Sequence, residues 1–241
     1  MADRPILFSG PMVRAILEGR KTQTRRVIKL AGCKPDYIGP RGCTHDPSCW
    51  GWEDSERGDY WLLKRGEGDK GRLDWSDWIG AYRVGDRLWV REKWQGLSFG
   101  DYQPTKSRTC DLRYAAADTL ADADKSVRGY PWRPSIHMPR WASRLTLHVT
   151  DVCVQRLQDI SEEDARAEGV ETRQIRPVYD IGQPAETWWF GTENGRATGK
   201  SAFRDLWDSL NAERAPWASN PWVCAVSFEA REINIDRMEA E

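Results

Sequence analysis

The segment Gly19-Arg20-Lys21-Thr22-Gln23-Thr24-Arg25-Arg26 places an amine, hydroxyls and guanidinium groups directly after a glycine. In an extended strand Thr24 and Arg26 share a face, because side chains two residues apart point the same way. Lys21 lies at the turn before them, from which its long side chain can fold over the same pocket. A neighbouring guanidinium disfavours the ammonium form, so Lys21 could act as a base. Thr24 would be a latent nucleophile needing such a base. Arg26 could hold a phosphate, a carbonyl oxygen or a developing oxyanion. From residue types alone, the simpler reading is a basic strand on a solvated face.

Other residues could carry chemistry. Glu168, beside Gly169, stands at the end of a short helix, where a last-turn carboxylate is also ordinary. Glu92 closes an apolar strand as either a pocket carboxylate or an edge charge. His137, Arg140 and Trp141 lie in a proline-flanked loop and could line a nucleotide pocket or serve packing; Arg140 is the one best placed to meet a ligand. Cys33, Cys43, His45 and Cys49 supply three thiols and an imidazole that could hold a structural zinc. Their spacing, C-x9-C-x-H-x3-C, lacks the close cysteine pair of common zinc motifs, and incidental loop thiols explain it more simply. No Walker or dinucleotide-binding glycine motif is present.

These residues need elements to position them. Proline at the first helical position and Gly19 at the end predict a helix over Pro11 to Glu18, with Val13, Ile16 and Leu17 on one face. Thr22 to Leu30 suits a strand. Val84 to Arg87 reads as a turn into the strand Leu88 to Glu92. Arg144 to Leu157 alternates as one long bent strand or two short ones, broken at Thr150-Asp151. Ser161 is a helix cap, and Gly169 ends that helix. Phe203, Leu206, Trp207 and Leu210 mark an amphipathic helix, and Trp222 to Phe228 a final strand. Several separated strands without βαβ repeats predict an α+β fold built on a small mixed or antiparallel barrel. Residues 1–229 are expected to form one domain with large loop insertions at about 31–83, 95–135 and 171–199. Residues 230–241 form a charged C-terminal tail expected not to pack deeply.

The 241 residues carry a net charge of −1, which argues against a general nucleic-acid coat. The basic surplus of residues 1–30 fits a local site for one or a few phosphates. No apolar run approaches the roughly 20 residues of a membrane helix, and the N-terminus lacks the features of a signal peptide. A cytoplasmic protein without membrane contact is expected. Of the 14 tryptophans, Trp89, Trp207 and Trp222 are expected in the core. Trp50, Trp52, Trp75 and Trp78 sit in a polar loop and could form a lid.

The pattern Gly19-x-Lys21-x-x-Thr24-x-Arg26 resembles the G-x-K-x-x-T-x-R signature of the ASCH family, whose domain is a β-barrel related to PUA RNA-binding modules. Gly85 to Glu92 resembles that family's strand entry, Ile160 to Gly169 its helix ending in Glu-Gly, and Phe203 to Trp207 its late aromatic helix. Pro5 to Pro11 and Pro134 to Arg144 resemble its phage and prophage branch. These anchors span most of the chain, with roughly half of the residues between them unmatched. The resemblance implies a PUA-like barrel and two functions. Some small members are amidohydrolases that remove the acyl group from N4-acetylcytidine with a Lys, a Thr and a Glu, which fall on Lys21, Thr24 and Glu168. Arg26, Glu92 and Arg140 would then bind the nucleoside substrate, with no metal and no cofactor required. Other members are thought to bind RNA, so the alternative is a non-catalytic binder of RNA or modified nucleotides.

Overall fold

The element order follows from the apolar patterning and its punctuation. In the computed structural model, which describes residues 2–28, 36–37, 50–54, 58–61, 82–175 and 185–238, the chain opens with strand β1 (Asp3–Leu7), helix α1 (Gly10–Leu17) and strand β2 (Gln23–Val27). Short strands β3 (Asp36–Tyr37), β4 (Trp50–Asp54) and β5 (Gly58–Trp61) follow. Next come β6 (Arg87–Arg91), β7 (Trp94–Leu97), β8 (Asp111–Tyr114), the one-turn helix α2 (Lys125–Arg128) and the long strand β9 (Thr146–Arg156). The last part holds α3 (Glu162–Ala167), β10 (Glu171–Ile175), β11 (Glu186–Phe190), β12 (Gly195–Arg196), α4 (Gly199–Asn211) and β13 (Trp222–Arg231). The expected α+β class is what the structure has: sheets with a few helices.

The chain divides into two compact units that interleave in sequence. The first comprises residues 1–22, 84–150 and 228–241, the second residues 23–83 and 151–227. In the first unit β1 pairs in parallel with β6, and β6 antiparallel with the start of β9. β7 and β8 form a separate hairpin ladder. Ile6, Phe8, Val13, Leu88, Val90, Leu145, Leu147 and Val149 are buried. In the second unit β13 pairs antiparallel with β2, β3–β4–β5 form a meander, and β10–β11–β12 form an antiparallel sheet. Its core joins Leu157, Ile160 and Ala165 to Phe203, Trp207 and Val223.

β9 is one continuous strand, and its alternation slips in phase. Leu145, Leu147 and Val149 are buried at odd positions, Val152 and Val154 at even ones. A slip of one residue turns a strand's apolar set to the other face. It falls at Thr150-Asp151, where the chain passes from one unit to the other.

Five local expectations are corrected. Within 171–199, read as a loop, β10, β11 and β12 form a three-stranded sheet, and the stretch 95–135 contains β8 and part of β7. Backbone ladders satisfy the peptide groups there without apolar periodicity, so the pattern did not betray them. The tail after Ala230 does pack: Ile235 is buried, and the Asn234 amide donates to the carbonyls of Arg140 (2.9 Å) and Ser143 (2.7 Å). Leu210 does not share the buried face of α4 with Phe203 and Trp207 but is exposed. Trp89 is only half-buried and holds the Arg91 guanidinium 5.4 Å from its ring centre, whereas Trp207 and Trp222 are buried as expected.

Candidate functional site

Lys21 is set in place by the end of α1. Gly19 adopts φ = 71°, a left-handed conformation that glycine reaches without a Cβ clash. Its N–H donates to Ile16 O at 3.0 Å, while the N–H groups of Arg20 and Lys21 both donate to Ala15 O at 2.9 Å. The chain leaves the helix through this turn, and Lys21 enters the interior with its Nζ 5.9 Å from the Phe8 ring centre. Lys21 is only 1% exposed.

Thr24, Arg25 and Arg26 lie on β2, in register with Val226, Ala225 and Cys224 of β13. Thr24 is 3% exposed and Arg25 5%, whereas Arg26 is half-buried. A basic strand on a solvated face is therefore not what this segment forms. Its signature lysine and threonine are interior, in an environment where polar groups persist only when something holds them.

The α3 helix positions Glu168. Ser161 is its cap, accepting a hydrogen bond from the Asp164 N–H at 3.0 Å, as its sequence predicts. Glu162, Glu163 and Asp164 place negative charge at the helix's positive end. Gly169, at φ = 95°, ends the helix just after Glu168. Glu168 is 4% exposed.

Arg25 is the organiser of this region, which residue types alone did not reveal. Its side chain is fully buried. Nη1 donates to Gln23 Oε1 (2.5 Å) and Glu168 Oε1 (3.1 Å), and Nη2 donates to Asp164 Oδ2 (3.0 Å). With its amide oxygen turned toward the guanidinium, Gln155 also accepts from Nε (3.1 Å) and Nη2 (2.7 Å). The Phe203 ring lies 5.8 Å from the guanidinium carbon. Strand alternation puts Gln23 and Arg25 on one face of β2 and Thr24 and Arg26 on the other. Glu168 thus engages the Arg25 face. The Gln23–Arg25 alternation and the i, i+4 spacing of Asp164 and Glu168 are traces of this cluster in the sequence.

In the first unit, Glu92 is buried and paired bidentately with Arg144, Nε to Oε1 at 2.9 Å and Nη2 to Oε2 at 3.1 Å. The guanidinium stacks 4.3 Å from the Tyr114 ring centre. Of the two earlier readings, pocket carboxylate or edge charge, the edge charge is excluded by this burial. Desolvation pushes the Glu92 carboxyl above its ordinary value of 4.5, with Arg144 opposing and Glu232 adding to the rise. A carboxyl raised on folding binds its proton earlier in the folded than in the unfolded chain. Glu92 is thus expected to add stability as pH falls through the raised value towards 4.5, and to subtract it as pH rises. In Glu92→Gln that contribution is absent. Thermal melts across this window are expected to show a smaller change of stability with pH in Glu92→Gln than in the wild type.

Arg140 is engaged by two carboxylates, Nη2 with Asp3 Oδ2 at 2.5 Å and Nε with Asp236 Oδ1 at 2.6 Å. Asp3 also receives Arg87 at 2.8 Å. Burial raises the Asp3 carboxyl, but hydrogen bonds and charge from Arg87 and Arg140 outweigh it and hold Asp3 below its ordinary range. Cys33, Cys43, His45 and Cys49 lie outside the described residues, as do Trp75, Trp78 and the side chains of Trp50 and Trp52. Among the described residues no cluster suits a metal ion, and no helix is long and apolar enough to cross a membrane.

Fold and site together define an α+β protein with buried polar side chains at its lysine–threonine signature. Comparison with known proteins finds no matching family model, no matching curated protein and no matching solved structure.

Proposed function

We propose that this protein is an amidohydrolase that removes the acyl group from an N4-acylated cytosine nucleoside, on a PUA-like barrel of the ASCH type. The observation that carries this reading is the burial of Lys21, Thr24 and Glu168, at 1%, 3% and 4% exposure. Lysine and glutamate are buried only where the fold holds them, at a cost that a functional role can justify. The resemblance at the signature supplies the task.

A general base must be a neutral amine, and desolvation is what favours that form in a lysine. Lys21 takes the proton from Thr24 Oγ1 as that oxygen attacks the acyl carbonyl. Arg26, on the Thr24 face of β2, or backbone N–H groups stabilise the tetrahedral oxyanion. When the C–N bond breaks, the exocyclic nitrogen of cytosine leaves with a proton returned by Lys21; Glu168, held on the Arg25 face of β2, acts as a positioning residue. Water then hydrolyses the acyl ester on Thr24 and restores the hydroxyl. Arg25 holds the Glu168 carboxylate in one orientation.

The test is absorbance-monitored hydrolysis of N4-acetylcytidine and N4-benzoylcytidine by the intact chain. Turnover that disappears in Thr24→Ala supports the acyl-threonine step; turnover that survives it keeps the enzyme and removes that step. Because Arg25 also depends on Glu168, the glutamate is tested as Glu168→Gln, which retains an acceptor for the guanidinium. No turnover on either substrate overturns the reading in favour of a non-catalytic binder of RNA or modified nucleotides.

A further inference from the structure

The first unit contains a cavity of about 510 Å³, lined among the described residues by Trp94, Lys106, Arg133, His137, Pro139 and Trp141. Its volume is within the range of small-molecule sites. None of the signature residues lines it. Apart from Pro139, the described walls are aromatic faces and basic or imidazole heads.

The walls are held in place. Trp94 begins β7, opposite Tyr114 of β8, and a two-way backbone bridge ties it to Arg133, with N–H to O distances of 3.2 and 2.8 Å. The Arg133 guanidinium stacks 5.2 Å from the Trp94 ring centre, a contact that leaves its planar N–H edge able to donate. Trp141 sits on a single helical turn, Arg140–Ala142, and meets Trp94 edge-on at 6.0 Å and 87°.

Two observations point to a ligand. The first is charge without counter-charge: among the described residues neither Lys106 nor Arg133 forms an ion pair, and no carboxylate lines the cavity. Several arginines of this unit are paired with acids, as Arg87 with Asp3, Arg140 with Asp3 and Asp236, and Arg144 with Glu92. The second is an unpaired donor. Trp94 is 2% exposed, and its indole Nε1–H has no hydrogen-bond partner, a state native interiors rarely leave without cause.

We propose that this cavity is a nucleotide-binding site, in which a base stacks on Trp141 and its phosphate is held by Lys106, Arg133 and His137. Aromatic rings accept any base by stacking, and a guanidinium matches a phosphate bidentately. The same chemistry is offered by a free nucleotide and by the phosphorylated end of a single strand. The site stands on the first unit alone and does not need the amidohydrolase reading.

The experiment is isothermal titration calorimetry of the intact chain with cytidine 5′-monophosphate, with cytidine and inorganic phosphate as separate probes. The monophosphate is expected to bind and each half alone to bind more weakly. Arg133→Gln and Trp141→Ala are each expected to weaken binding by about tenfold or more, and Trp141→Phe, which keeps a ring, to retain most of it. Circular dichroism confirms that each variant is folded. Competition by a short 5′-phosphorylated oligocytidylate distinguishes the sources: displacement below the monophosphate's own Kd assigns a strand end, weaker displacement a free nucleotide. Three results overturn the proposal: no binding of the monophosphate, inorganic phosphate binding equally well, or binding lost in Lys21→Ala but kept in Arg133→Gln.

Discussion

Lys21→Ala is expected to lower kcat/KM for N4-acetylcytidine by about a thousandfold, with the fold intact. A positioned general base contributes on the order of a hundred- to ten-thousandfold, and without it the Thr24 hydroxyl remains protonated through the attack. A thousandfold corresponds to about 4 kcal/mol of lost transition-state stabilisation. The loss is expected in kcat rather than KM, since the proton moves only as the oxygen attacks. Lys21 also fills interior volume beside Phe8, so alanine could lower activity by opening a cavity. Lys21→Met keeps that volume without the amine. It is expected to melt close to the wild type, because an apolar side chain of similar volume keeps the interior packed, and to be as inactive as the alanine variant. An active methionine variant would remove Lys21 from the chemistry. Gradual weakening of RNA binding, shared with Arg20 and Arg26 and dependent on salt, would instead mark Lys21 as part of a binding surface.

Arg25→Ala is expected to destabilise the protein by about 3–5 kcal/mol, the cost typical of breaking a buried charge pair from one side. For a chain of this size that is a fall in melting temperature of roughly 10 °C. The side chain is fully buried, and its donors reach Gln23, Glu168 and Asp164, with Gln155 alongside. Deleting it desolvates carboxylates without their cation. Arg25→Lys is expected to recover less than half of the loss, since one ammonium cannot reproduce a planar fork addressed to several acceptors. Thermal denaturation of both variants decides this. A melting temperature within two or three degrees of the wild type in Arg25→Ala would show that the cluster carries little stability. By residue type alone Arg25 belongs to a basic strand on a solvated face; burial makes its expected phenotype one of folding.

The chain's local chemistry was enough to place most elements that lead to the site. Pro11 and Gly19 bracket α1, Ser161 and Gly169 bracket α3, and the alternation from Leu145 to Val154 marks β9 together with its break at Thr150-Asp151. These features act over a few residues: a fixed φ, a missing Cβ, a hydroxyl reaching the next turn, a period of two. The interior position of Lys21 and Thr24 was not legible that way, because basic residues in a row describe a solvated strand as well as a buried one. Only tertiary structure decided it. Arg25 meets Glu168 across 143 positions, Glu92 meets Arg144 across 52, and the cavity draws its walls from Trp94 to Trp141. Spacing in a sequence specifies which side chains share a face of one element. Which faces then meet is determined by the burial of all of them at once, and the partner that makes a buried charge tolerable can come from anywhere along the chain.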